Sequence, residues 1–274
     1  MMSLFERMLK GRSWTLSNGK TIHEKASRAP LFVLLLLALT FLSVRVTGFR
    51  LDTLLNRGHE FFVILSDMFP PRWSYLHNIW KPLADTIKMS LLGSATGSIL
   101  ALPAAVAASR NINSNKFSLV LIRFLLGFLR TIPTLVYALV ATYIMGMGTA
   151  AGTLSIAIFT FSYVGKQLYE RIEVADMGPY EAMEALGAGK IRAYLAAIQA
   201  QILPNYLSVC LFCFEGNVRY ASILGYVGAG GLGLILNEKI GWREYSSVGM
   251  ILLVLYITVM LIEEVSQRIR KHLV

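Results

Sequence analysis

Apolar runs alternate with short, mostly basic stretches along the chain, and six of them approach the roughly 20 residues that a bilayer-crossing helix needs. The first is Leu31–Val44, extended backwards through Ala26; the second covers Leu83–Ser109. The third runs from Phe117 to Met145 with a break near Pro133, and the fourth from Gly152 to Tyr169. Asn205–Tyr226, the least apolar, is the fifth, and Ser246–Ile262 the sixth. Gly93, Ser94, Ala95, Gly97, Ser98, Ala101, Ala104 and Ala105 crowd the second run, which predicts a face where helix backbones approach closely. Between the first two runs, Leu51, Leu54, Leu55, Phe61, Phe62, Leu65 and Phe69 predict a surface-lying helix ahead of Pro70-Pro71. Trp73, Tyr75 and Trp80 then sit at headgroup depth.

One polar segment between the fourth and fifth runs is helix-coded without being a span: Gly178–Pro204, reading GPYEAMEALGAGKIRAYLAAIQAQILP. Pro179 suits a first helical position, Glu181 favours a helix N-terminus, and Gly187 and Gly189 can supply a left-handed stop. The expectation is a short helix, a glycine turn and a second helix. Tyr180, Met183 and Leu186 recur at helical spacing while Ala182 and Ala185 keep the flank slim, so the first helix can press into a groove on a separate protein. An ordinary loop between membrane helices is the plainer reading of the same residues.

Composition narrows the class. Of the 274 residues 55% are hydrophobic and only 15% charged, with mean hydropathy +0.57, whereas globular chains carry about 25% charge. The chain is an all-α membrane protein. Its net charge of +10 comes from Lys and Arg lying mainly between the apolar runs, which makes nucleic acid a poor partner. Arg7, Lys10, Arg12, Lys20, Lys25 and Arg28 outweigh Glu6 and Glu24 and mark residues 1–29 as a cytoplasmic segment; 30–82 hold the first span and an outer loop. Six spans place both termini inside. The first run lacks a small-x-small cleavage site after it and reads as a retained helix. Cys210 and Cys213 form a C-x-x-C inside an apolar run without partner ligands, which reads as membrane filler. There is no internal repeat of the kind that builds many secondary transporters, so symmetry comes from dimerisation with the pore on the twofold axis.

Charges inside the apolar runs need partners or water. Glu215 and Arg219 are four apart with the acid first, the favourable order for an intrahelical pair, and Asn217 points the opposite way. Counting rise along each span puts Arg130, Glu215 and Arg219 in one layer, whose net positive charge suits a small anion in transit. Arg123 lies on the same face as Arg130 and reads as snorkelling toward the inner surface, as do Lys88 and Lys166 toward their nearer surfaces. The run Gly225–Gly233 partly mimics a dinucleotide fingerprint, but no βαβ unit surrounds it. It reads either as a flexible turn or as non-helical backbone lining the outer mouth, with Gly225, Gly228, Gly230, Gly231 and Gly233 as an outer gate.

Glu181-Ala182, Gly187 and Leu203-Pro204 resemble the EAA loop of bacterial ABC importer permeases, with Met183 and Gln199-Ala200 as departures from its pattern. With Arg130-Thr131-Ile-Pro-Thr134, Phe214-Glu-Gly-Asn-Val-Arg219 and Ile223–Gly233, residues 80–270 resemble the MetI-like permease of phosphonate-type importers. The resemblance implies a permease core over 83–274, with a coupling helix pair in 170–204 that docks the ATPase through Tyr180, Glu181, Ala182, Met183, Ala185, Leu186 and Gly187. It implies a homodimer in the bacterial inner membrane, two ATPase subunits that bind ATP and magnesium, and an external binding protein delivering a phosphonate, phosphite or related oxyanion. The substrate path then runs past Arg130, Thr131, Thr134, Glu215, Asn217 and Arg219. No cofactor is expected on this chain, which has no G-x-x-x-x-G-K-[ST] string. A methionine or quaternary-amine permease is the alternative within transport, disfavoured by the in-span arginines. A channel or membrane enzyme is another class; His23, His59, His77 and His272 all fall outside the spans and speak against an enzyme.

Overall fold

The computed structural model describes residues 13–15, 17, 19–23 and 29–273, and the chain forms two compact units, 1–63 and 64–274. In the first, β1 (Ser13–Thr15) and β2 (Thr21–His23) pair antiparallel with Trp14 opposite Ile22. Most of the basic N-terminal segment, including Arg7, Lys10, Arg12, Lys25 and Arg28, lies outside the described residues. The first apolar run forms α1 (Ala29–Val46). The expected amphipathic helix is α2 (Leu51–Asp67), which buries no residue and is bent by 73° from α1.

The second unit is a helical bundle. After a 3-10 turn at Trp73–Tyr75, α3 spans Leu76–Ala108 and starts earlier than the expected Leu83. Ile79 is already fully buried there, packed with Leu83 against residues of the last two helices. α4 (Lys116–Thr131) and α5 (Thr134–Met145) meet at 90°. The third apolar run is therefore two helices and not one straight span. Ile132 between them takes an extended backbone (φ −86°, ψ 125°), as the ring of a following proline demands. Asn115 caps α4 by accepting the Phe117 and Ser118 N–H groups.

α6 (Thr149–Val174) lies at the centre. It runs parallel to α3 at close quarters, and the small residues of α3 make that approach feasible. A methyl group on Gly97 would fall 2.5 Å from the Ala157 carbonyl oxygen, and one on Gly93 2.7 Å from the Ile156 side chain. α7 (Gly178–Ala185) is followed by α8 (Lys190–Ala193), which continues through a π turn at Tyr194–Ile198 into α9 (Gln199–Leu224). α10 (Leu232–Gly241) and α11 (Tyr245–Leu273) complete the chain.

Among the described residues three helices are long and apolar enough to cross a membrane, or up to five if each bent pair is one span. α6 is not one of them. Its buried Ser155, Thr160 and Ser162 lower its apolarity, and neighbouring helices shelter them instead. At the α7 end the core gathers Val164, Leu168, Ile172, Tyr180, Tyr194, Ile198 and Tyr206; at the other, Leu83, Leu232, Leu236, Met250 and Ile251. That second end is tied off by Lys239, whose Nζ lies 2.9 Å from Glu244 and 5.3 Å over the Tyr75 ring.

Candidate functional site

The helix–turn–helix expected after the fourth run is present, and its ends are chemically determined. An Asp176 carboxylate oxygen accepts the Gly178 N–H at 3.0 Å, Pro179 occupies the first turn, and Gln201 brackets the Asp176 backbone by bonding both its N–H and its carbonyl. At the other end Gly187 has φ +86°, Gly187 N–H donates to the Glu184 carbonyl and Ala188 N–H to that of Met183. This is the two-bond left-handed stop that closes many helices. Gly189 takes no part in it, since its φ is −66° and it starts α8.

The residues of the expected docking stripe differ in exposure. Tyr180 is 4% exposed and turns into the chain's own core, with Met183 packed beside it. The reason is that α7 must cover the ends of α6 and α9, and its largest ring is what fills that space. The Tyr180 hydroxyl donates to Glu184 at 3.1 Å, and burial followed by that contact raises the phenol's pKa. The outward face is Glu181, Ala182, Ala185 and Leu186, the last 83% exposed, continued by Ile191 beyond the turn.

Arg123 is held by three partners. Its Nε donates to the Ala108 carbonyl at 2.8 Å, its Nη2 bonds Glu173, and its guanidinium lies 4.7 Å over the Tyr169 ring. Glu173 also accepts the Arg110 N–H at 2.9 Å, so one carboxylate ties the end of α6 to both α4 and the loop after α3. Lys166 likewise pairs with Glu170 at 3.7 Å. Two turns along α4, Arg130 stacks 5.1 Å over Tyr163 and stays exposed. Among the described residues no carboxylate lies within ion-pair distance of Arg130. Thr131 donates to the Phe128 carbonyl, and Thr134 opens α5 across the elbow.

Glu215 and Arg219 pair as their spacing predicts. What the spacing could not show is that α11 supplies two more charges: Arg270 reaches Glu215 at 3.3 Å, and Glu263 lies 3.7 Å from Arg219. The apolar run ends at Ile262, yet α11 stays helical to Leu273 and lays its charged end along α9. Two acids and two bases cancel, which overturns the expected net positive cluster. Among the described residues no ion pair joins Arg130 to this cluster; its ring partner is Tyr163. Asn217 points the other way, as expected, donating to Ser94 at 2.8 Å and Thr160 at 2.9 Å while 1% exposed.

The glycine run is a packed junction. Gly225, Gly228, Gly230, Gly231 and Gly233 are all buried. Gly148 N–H donates to the Gly228 carbonyl at 2.9 Å, and Leu232 N–H to the Thr86 hydroxyl at 2.7 Å. Thr86 lies about 15 Å along α3 from Leu76 at 1.5 Å per residue, so the run sits well inside the bundle and α10 continues beyond it. Gly228, Gly230 and Gly231 all have positive φ, and a methyl group on Gly231 would strike Thr86.

Over 74% of this chain and 99% of the solved one, the fold is similar to that of a chain of the MetNI methionine ABC transporter in its inward-facing conformations, with a TM-score of 0.64 at 20% identity. Residues 93–273 match the binding-protein-dependent transport system inner membrane component, and the chain belongs to that family. It is 33% identical over 220 residues to the phosphite transport system permease protein PtxC of Stutzerimonas stutzeri, covering 80% of each. It is 32% identical over 219 residues to the phosphate-import permease protein PhnE of Mycolicibacterium smegmatis, covering 80% of this chain and 41% of that one.

Proposed function

We propose that this chain is the permease of an ATP-driven importer for a small phosphorus oxyanion: phosphite, a phosphonate or a phosphate ester. The observation that carries the reading is 33% identity to a phosphite permease sustained over 80% of both chains. The exposed guanidinium of Arg130 supports it, because a bidentate N–H edge suits an oxyanion. In this reading α1, α3, α4 with α5, α6, α9 with α10, and α11 are six crossings with both termini in the cytoplasm. Two copies enclose the path in the bacterial inner membrane. The exposed face of α7 meets one of two ATPase subunits, which bind ATP and magnesium, and an external binding protein delivers the solute. The chain itself is non-catalytic.

The test is uptake of labelled phosphite or methylphosphonate by cells supplied with the ATPase and binding protein, with and without this chain. Uptake that requires the chain supports the reading. Uptake of methionine but of no phosphorus compound overturns it.

A further inference from the structure

Two arginines of α4 meet two tyrosines of α6 in the same way, and among the described residues only one of them is given an anion. At the rung nearer α7, Arg123 stacks on Tyr169 and is closed by Glu173, four residues further along α6. At the second rung Arg130 stacks on Tyr163, and the residue four further along is Gln167, a neutral amide on the same helix face. A ring beneath a guanidinium holds it in place without using its N–H donors, which stay available to an anion beside it.

We propose that the second rung is an oxyanion-binding position, in which a phosphorus oxyanion takes the place that Glu173 fills at the first. Tyr163 is the positioning residue for Arg130, and the Gln167 amide supplies a further donor without the negative charge that would close the site. Phe159 stacks with Tyr163 at 5.9 Å between ring centroids and meets Tyr220 edge-on at 6.4 Å, so an aromatic wall leads from this position toward α9. The assignment rests on the proposed function.

The sharpest test installs the missing anion. In cells carrying the full chain, its ATPase and its binding protein, Gln167→Glu lowers the maximal rate of phosphite uptake at least tenfold. The apparent KM, set by the binding protein, stays in place, as does copurification with the ATPase. Adding Arg130→Gln to that variant causes less further loss than it does alone, because the two changes act on one contact. Tyr163→Leu lowers the rate with the same signature, and Tyr163→Phe recovers most of that loss because it keeps the ring. A rate equal to wild type in Gln167→Glu at normal membrane abundance overturns the proposal. If Gln167→Glu fails to assemble, the tyrosine pair decides: equal rates in Tyr163→Leu and Tyr163→Phe overturn it. Should the wild-type chain carry no phosphorus oxyanion, the proposed function itself fails and this site with it; wild-type uptake with insensitive variants sinks the site alone.

Discussion

Glu215 is held by cations from two helices and is only 5% exposed, so its removal takes the carboxylate from Arg270 and leaves Arg219 with Glu263. Arg219 is half exposed and Arg270 about a quarter, so water offsets part of the loss, and the cost falls below that of breaking a fully buried pair. Glu215→Gln is accordingly expected to reduce the amount of assembled protein and its thermal stability in detergent. Arg130 and Arg123 make the contrast. Arg130→Gln should leave assembly and ATPase docking intact yet lower uptake at least tenfold, about 1.4 kcal/mol in free-energy terms, whereas Arg123→Gln should lose assembled protein first. Loss of assembly in Arg130→Gln would make that residue structural instead. The pairing of Glu215 with Arg219 was legible because i,i+4 neighbours are fixed by helix geometry. Arg270, 55 residues away, was not: hydropathy placed it beyond the last span, and only tertiary packing brings it back.

At the scale of elements, α7 was legible at both ends and illegible in the middle. Start and stop are local chemistry, which proline, an acidic first turn and a left-handed glycine announce. Which way the helix faces is decided by what it covers. Periodicity found the stripe of Tyr180, Met183 and Leu186 but could not say that its ring belongs to the chain's own core. Gly187→Val strains the φ +86° turn and is expected to weaken copurification of the ATPase and uptake while leaving the bundle folded. Normal docking in that variant would remove the turn from the coupling role. The elbow between α4 and α5 is a similar lesson: Pro133 announced a break, but nothing local gives its 90° angle.

For the whole molecule, apolar runs located every long helix of the bundle, and the small residues of α3 foretold a close helix contact without naming its partner, which is α6. What they left out was tertiary packing, which brings Arg270 of α11 to Glu215 and buries the glycine run at its junction with Gly148. Topology has its own check. A cysteine replacing Gly189, which is exposed in the turn after α7, should react with impermeant thiol reagents only from the cytoplasmic side; labelling from outside would overturn the six-crossing map. The junction of Gly148 with Gly228 bears on motion. Two helical lines, α5 to α6 and α9 to α10, are both interrupted there, at one level and hydrogen-bonded to each other. Unbroken α3 and α11 pass beside them. A shift of α10 relative to α3 would have to break the Leu232–Thr86 hydrogen bond, and a shift relative to the start of α6 the Gly148–Gly228 one, so the junction pins the two interrupted lines together.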